Sequence, residues 1–391
     1  MEFKEVKLGE ISNINMGQSP RSEFYSEFEG TPFLQGNRTF QHIYPLIDTY
    51  TNKITKLANK NDILFSVRAP VGDMNIAPVD LCIGRGLCAI NSTNSNQEFL
   101  FYLLKSKLNE LESHSTGTIF SSVNKKTLEN FIVKVPSDSH QKNIGRLLSN
   151  LDKKIEINQN IIANLEELSQ TLFKRWFVDF EFPDENSNPY KSSGGEMIDS
   201  ELGKIPLSWK VQKLNDIFKI NYGKNLPTKK ILNNGYPVFG GNGIIGYYSN
   251  YMYETPKILI SCRGAASGKI HISKEKSFVT NNSIVLDEKQ KNYFYYFKEL
   301  YKYNDFKRYT TGSAQPQITI ANIKYLVYLT PNTNIIDQFN SKVSCLFNQK
   351  NNCEDENQDL AELRDTLLPK LMSGEIEIPD HIEVNEDELS I

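Results

Sequence analysis

The sequence predicts an α+β chain built twice over. Two mixed α/β globular domains alternate with two long helices, and the helices pair antiparallel as a coiled coil about a pseudo-two-fold axis. Three observations lead there. Short landmarks recur at a fixed spacing of 195 residues. Two long runs place apolar residues three and four apart. Each run is preceded by a stretch rich in glycine, aromatics and β-branched residues, broken into short pieces.

The repeat comes first because everything else hangs on it. Thr116-Gly117 returns as Thr311-Gly312, DILFSVR from Asp62 as KILISCR from Lys257, Pro136 as Pro331, and TLFKRWF from Thr171 as TLLPKLM from Thr366, each pair 195 residues apart. The opening segments VKLGEI (Val6) and QKLNDI (Gln212) are 206 apart, so the second copy is shorter early on. Landmarks held in one register indicate internal duplication.

Within each copy the first part reads as short strands: NDILFSVRAPVGDMNIAP in one, KILISCRGAASGKIHIS and KSFVTNNSIVLD in the other. A helical patch lies near residues 96–113 and again near 291–303, which makes each globule mixed. The second part is a long helix. In the first copy its seam runs Leu148, Leu151, Ile155, Ile162, Leu165, Leu172, Trp176, with Asn158 and Ser169 filling gaps. In the second it runs Val343, Leu346, Cys353, Leu360, Leu367, Leu371, with Lys350, Asn357 and Arg364 intruding. Asp138 is the expected N-cap of the first helix and Asn332 or Thr333 that of the second. Pro183 closes the first helical region, and Pro369 is expected to bend or end the second. A narrow apolar seam cannot bury itself, but two in one chain can bury each other. About 40 residues at 1.5 Å each make a rod of roughly 60 Å, with a globule expected at each end.

Charge narrows the function. The net is −3, divided as 0 over residues 1–136, −4 over 137–204, +11 over 205–332 and −10 over 333–391. A strongly basic domain points to a polyanion partner. The N-terminus lacks the apolar core of a signal peptide, no apolar run approaches membrane-spanning length, and the expectation is a cytoplasmic protein without membrane contact. Cys82, Cys88, Cys262, Cys345 and Cys353 form no C-x-x-C pair and read as reduced, buried thiols. The five histidines are scattered, so no metal site is visible.

Three motif matches fail on context. Gly241-x-Gly243-x-x-Gly246 has the dinucleotide spacing, yet YYSNYMYETP follows it where a helix is required; it reads as a glycine-rich recognition loop. GAASGK, Gly264 to Lys269, is one residue short of a P-loop, and Ile270 stands where Ser or Thr is needed. NPY at Asn188 lacks the second proline of the amino-methyltransferase motif. No catalytic constellation can be argued from spacing, and the chain is expected to catalyse nothing alone.

Several segments resemble the specificity subunits of type I restriction-modification systems: NMGQSP, DILFSVRAPVGDMNIAP, STG, LFKRWFVDFEFP, the connector SSGGEMIDSELGKIPLSWKV, VFGGNGIIGYY and LRDTLLPKLMSGEI. The resemblance covers nearly the whole chain. It implies target-recognition domain 1 over residues 1–136, a helical region shared by the family over 137–180, a connector over 181–204, target-recognition domain 2 over 205–331, a second helical region over 332–378 and an acidic tail over 379–391. It also implies binding of double-stranded DNA at a split target, and docking of two methyltransferase subunits and of restriction/translocase subunits. No cofactor is expected in this chain; S-adenosylmethionine belongs to the methyltransferase partner, and ATP and Mg to the restriction partner. The neutral first domain and the charged residues Lys350 and Arg364 on the second seam depart from an idealised repeat. Other readings are the specificity subunit of a fused cut-and-methylate system, a non-DNA coiled-coil scaffold, and a nucleotide-dependent enzyme using Gly241–Gly246.

Candidate contacts follow from side-chain chemistry. Arg, Lys, Asn and Gln match base edges, while hydroxyls, cations and glycine-turn amides hold phosphates. In the first domain these are Gln18, Arg21, Gln35, Asn37, Arg38, Arg68 and Arg85, with Thr116, Gly117, Thr118 and Ser121 at the tip. In the second they are Lys224, Asn225, Lys229, Lys230, Asn242, Arg263, Asn281 and Asn282, with Thr311, Gly312, Ser313 and Gln315. Arg68 and Arg263 stand out because both follow the matched ILxSxR strand; the Thr-Gly turns are expected to hold phosphate or shape the fold. For partners, Phe173, Trp176, Phe177 and Phe180 suggest an aromatic docking patch at a helix end, with packing against the chain's own domain as the alternative.

Overall fold

The computed structural model describes residues 2–113, 122–289, 292–302, 306–312 and 315–378. They form two compact units, one running to Ile161 and resuming at Cys353, the other Ile162–Asn352. The tip residues Thr116, Gly117, Thr118 and Ser121, together with Ser313 and the acidic tail, lie outside the described residues.

In the first unit the strands Ser12–Met16, Leu87–Ser92, Ile63–Ser66 and Met74–Ile76 form an antiparallel sheet in that order. Side chains alternate between the faces of a strand. Ile63, Phe65, Cys88 and Ile90 pack against the helix Gln97–Ser106 and against Leu148, Leu368 and Leu371 of the long helices. Leu64, Leu87 and Ala89 pack on the other side with Leu34 and Ile83. A strand covered on both faces needs an unbroken apolar run, which is why ILFS does not alternate with polar residues. The strands Lys4–Lys7 and Ile132–Val135 pair antiparallel and bring the two ends of the globule together just before the long helix.

The second unit repeats the plan. Phe218–Tyr222, Ser283–Glu288, Ile258–Ser261 and Ile270–Ile272 take the same four places in the same order. Ile258 and Ile260 face one cluster and Leu259 the other, each 195 residues beyond its counterpart. Lys210–Lys213 pairs with Val327–Thr330, and Phe294–Leu300 is the short helix. The connector contributes a hairpin, Met197–Ser200 with Gly203–Pro206.

The long helices are Asp138–Phe173 and Thr333–Ser373. Within the first unit Asp152 meets Arg364 and Asn158 meets Glu356, so the two segments run antiparallel. Within the second unit Glu166 meets Lys350 and Phe173 lies 6.4 Å from Phe339, again antiparallel. The two charges that intrude on the second seam therefore each face a carboxylate of the first. Arg364 and Asp152 are both buried, at 7% and 2% exposure. Tyr102 donates to Asp152 at 2.6 Å, and His42 lies 3.2 Å away. Burial works against the Asp152 carboxylate, but hydrogen bonds from His42 and Tyr102 and the Arg364 charge outweigh it and hold the group at about 2.

Several local expectations are corrected. Ser137, not Asp138, precedes the first helix; Asp138 is its first helical residue and accepts from Asn94 at 3.0 Å. Asn332 does cap the second, its Oδ1 accepting from the Ile335 amide at 3.0 Å. Pro369 does not end that helix, which continues to Ser373; a proline one turn from a helix end removes a single internal hydrogen bond, and Leu368 and Leu371 stay buried on either side of it. Cys82, Cys88 and Cys262 are buried thiols, but Cys345 is exposed and Cys353 half-buried.

The aromatic docking patch is also overturned. Phe173, Trp176 and Phe177 are buried and Phe180 is half-buried within the second unit. The helix widens into a π-turn at Lys174–Val178, and both Trp176 and Phe177 end up buried. Phe177 stacks edge-on to Tyr296 and Phe339 at 4.8 Å each, and Phe180 meets Trp209 at 5.4 Å. Rings of this size find their partners inside the unit rather than waiting for another subunit.

Candidate nucleic-acid interface

Backbone hydrogen bonds draw four loops of the first unit to one edge of the sheet. The Gln18 amide donates to Ile83 O at 2.9 Å, and Arg85 N to the Ser19 hydroxyl at 3.2 Å. Gly84 N bonds Leu34 O at 2.8 Å, Gly86 N bonds Gln35 O at 3.2 Å, and Val67 N bonds Gly86 O at 2.9 Å. Gln18, Gln35, Arg68 and Arg85 thus project from adjacent loops, all exposed. Among the described residues neither Arg68 nor Arg85 forms an ion pair. A cleft of about 680 Å³ next to them is lined by Gln18, Arg21 and Arg85.

The second unit builds the same edge from the same loops. Lys224 N donates to Val279 O at 2.9 Å, Thr280 N to Phe239 O at 2.9 Å, and Cys262 N to Asn282 O at 2.9 Å. The Ser261 hydroxyl bonds Gly241 O. Lys224, Asn242, Arg263 and the Asn281-Asn282 turn are brought together, and Asn225 is exposed beside Lys224. Arg263 also carries no ion pair among the described residues. The glycine-rich stretch forms a hairpin, Tyr236–Gly240 with Gly243–Tyr248, so a strand follows the glycines where a dinucleotide site needs a helix.

The Thr-Gly turn is placed beside this edge. Thr311 and Gln317 exchange backbone bonds of 2.8 and 2.9 Å, and Arg263 pairs with Gln317 in turn. Gly312 has φ +88°, and an added Cβ would approach Gln315 O at 2.9 Å, so the turn requires glycine. In the first unit Ser122, just after the tip, pairs with Arg68 in the same way.

Not every candidate joins the edge. Asn37 donates to Asp73 at 2.6 Å and Arg38 holds Asp48 at 2.7 Å; the Arg38 hydrogen bond pulls the Asp48 carboxyl below its usual value. Arg21 lies 3.8 Å from Glu23 yet still lines the cleft with Gln18 and Arg85. Lys229 and Lys230 sit in an exposed turn leading to Leu232, which pairs with Tyr247 further along the hairpin.

Sequence reasoning missed Gly17 and Gly223. An added Cβ on Gly17 would stand closer than 3.0 Å to the carbonyl oxygens of Gly84 and Leu87, and one on Gly223 as close to those of Val279 and Thr280. These two glycines let the paired loops touch. The signal was present: Asn15-Met-Gly17 and Asn221-Tyr-Gly223 are 206 apart, the same spacing as the opening segments.

A family model described as the type I restriction modification DNA specificity domain matches residues 1–167 and 206–358, once per copy. The chain belongs to this family. The type I restriction enzyme MjaIX specificity subunit of Methanocaldococcus jannaschii is 26% identical over 97% of both chains. The putative MjaX specificity subunit of the same organism is 40% identical, and that match spans 44% of each chain. The crystal structure of a type I restriction-modification S subunit from M. genitalium shares the fold, with a TM-score of 0.65, 18% identity and 97% of each chain covered. As a specificity subunit the chain is non-catalytic. No helix among its described residues is long and apolar enough to cross a membrane.

Proposed function

We propose that this specificity subunit reads a two-part DNA target, one half-site at each recognition edge, and sets a methyltransferase over an adenine in each half. The recurrence of the same four loops with different tips supports the reading. Gln18, Gln35, Arg68 and Arg85 in one unit stand where Lys224, Asn242, Arg263 and Asn281-Asn282 stand in the other. One scaffold with unlike tips suits unlike half-sites, since base edges are told apart by their donor and acceptor patterns.

The partners are double-stranded DNA, two methyltransferase subunits and restriction/translocase subunits. The chain holds no cofactor of its own; S-adenosylmethionine sits in the methyltransferase, which flips the adenine out of the duplex, and ATP and Mg serve the restriction partner. With the aromatic cluster spent on the core, exposed apolar side chains of the long helices remain for docking: Ile157 and Leu363 in the first unit, Leu168 and Val178 in the second.

The test is a methylome. The chain is expressed with its cognate methyltransferase in a host lacking adenine methylation, and N6-methyladenine is mapped with and without it. A split motif present only with this chain is the expected result; an intact complex that leaves no motif overturns the reading. A finer prediction concerns the turn. Thr311 orders Gln317, with its hydroxyl 3.2 Å from Gln317 O, so Thr311→Ala should weaken binding to target and non-target duplexes alike. One hydrogen bond of about 1 kcal/mol corresponds to roughly fivefold. A shifted sequence preference in a binding competition would refute this.

A further inference from the structure

The glycine-rich hairpin carries two side chains that the recognition edge described so far leaves out. Ile244 and Ile245 are 45% and 46% exposed, although they are neighbours in one strand. In a regular strand successive side chains point to opposite faces, so a strand lying on a core hides one of two neighbours. The register explains the departure. Phe239 pairs with Ile244 but Val238 with Gly246, which leaves Ile245 as the extra residue of a bulge. A bulge re-aims the side chain it carries. Gly240 makes room for it, since a Cβ there would stand 2.9 Å from Ile245 Cγ2. Two β-branched apolar groups are thus held open to solvent on the hairpin that bears Asn242.

The hairpin is tied to the recognition edge of the second unit. The Ser283 hydroxyl donates to Gly240 O at 3.1 Å and the Ser261 hydroxyl to Gly241 O. Asn242 accepts from Lys269 at 3.2 Å, and a Cβ on Gly241 would lie 3.7 Å from that of Asn282. Lys224, Arg263 and Lys269 of this edge are exposed, which suits a polyanion rather than an apolar protein face. The major groove of duplex DNA admits a two-stranded β-ribbon, and the apolar group it offers there is the C5-methyl of thymine. The first unit differs at this place. Its strand Thr31–Leu34 pairs parallel with Leu81–Ile83, as Tyr236–Gly240 does with Phe278–Val279. It then runs into Gln35, Gly36 and the 3-10 turn Asn37–Thr39, where the side chains are polar.

We propose that Ile244 and Ile245 are specificity residues that read a thymine methyl in the half-site of the second unit. The proposal rests on the DNA-reading function above. The test compares the complex of the full chain and its methyltransferase with the same complex carrying Ile244→Ala and Ile245→Ala. Affinity is measured on duplexes in which each thymine of either strand is replaced singly by deoxyuridine, one half-site at a time. Uracil removes the methyl and keeps the hydrogen-bonding edge. One buried methyl is worth about fourfold in affinity, so at least one replacement should weaken the unaltered complex by that factor. The variant should bind the thymine duplex about fourfold or more weakly, and be indifferent to that same replacement. Its response to uracil in the other half-site should be unchanged. Both side chains are exposed, so the melting transition and co-elution with the methyltransferase should also be unchanged. Equal affinity of the unaltered complex for every uracil duplex overturns the proposal. So does a variant that loses affinity at each position where the unaltered complex does. Lost co-elution would assign the isoleucines to the protein partner instead. An unaltered complex that binds no duplex at all sinks the DNA-reading function itself, a result distinct from tight binding that ignores uracil.

Discussion

Arg364→Met should be the most damaging single change in the first unit. It leaves Asp152 buried at 2% exposure without its guanidinium, and breaking a buried ion pair by removing one partner costs about 3–5 kcal/mol. A domain of this size loses ~2–4 °C of melting temperature per kcal/mol, so the transition of this unit should fall by roughly 10 °C. Removing both charges, as Asp152→Leu with Arg364→Met, should recover much of that loss, because two apolar side chains leave no stranded charge. Equal melting of the single and double variants would show that the pair is not what holds the seam. The same group sets an acid limit. The Asp152 carboxyl is held at about 2, below its ordinary 3.8. Its contribution is full above the unfolded value and is lost as pH falls through that window toward 2. An acid titration of stability should therefore show a loss between about pH 4 and 2 that is smaller in the double variant.

Gly223→Ala and Gly17→Ala should each disable one recognition edge. The alanine methyl of the former would press into the carbonyls of Val279 and Thr280, forcing apart the loops that carry Lys224 and Asn281-Asn282. Overpacking of this kind costs about 1–3 kcal/mol of stability. The larger effect is on DNA, since each well-made base contact is worth about 1–3 kcal/mol of discrimination and two or more are displaced at once. Specific affinity should drop by roughly 100-fold or more, with tolerance of mismatches confined to the half-site that unit reads. Competition binding with duplexes altered in one half or the other checks it. Tight, fully selective binding by Gly223→Ala would mean the close approach does not position the edge.

The repeat made much of this legible in advance. ILFS and ILIS are strands in corresponding places of the two units' corresponding sheets, as their matched apolar runs implied, and the apolar seams at 3-4 spacing are the long antiparallel helices. Arg68 and Arg263 stand at corresponding loop ends, bridged to Ser122 and Gln317, which are themselves 195 residues apart. The polar candidates were sorted less well, because a loop cation looks the same in sequence whether it is open or held. Arg38 is engaged by Asp48 ten residues on, while Arg85 has no such partner among the described residues.

The short strands, the two long helices and the duplication could be read along the chain because they rest on local periodicity and on spacing, which survive in one dimension. What covers a side chain does not. Phe173, Trp176 and Phe177 are too many large rings for one narrow seam, and nothing within ten residues says whether the unit or another subunit takes the surplus. Only folding brings Trp209, Tyr296 and Phe339 to them. Arg364 likewise reads as a flaw in a coiled coil until Asp152, 212 residues away, lies opposite it. Burial and charge balance are set by neighbours in three dimensions, and those neighbours are chosen by the packing of the whole unit.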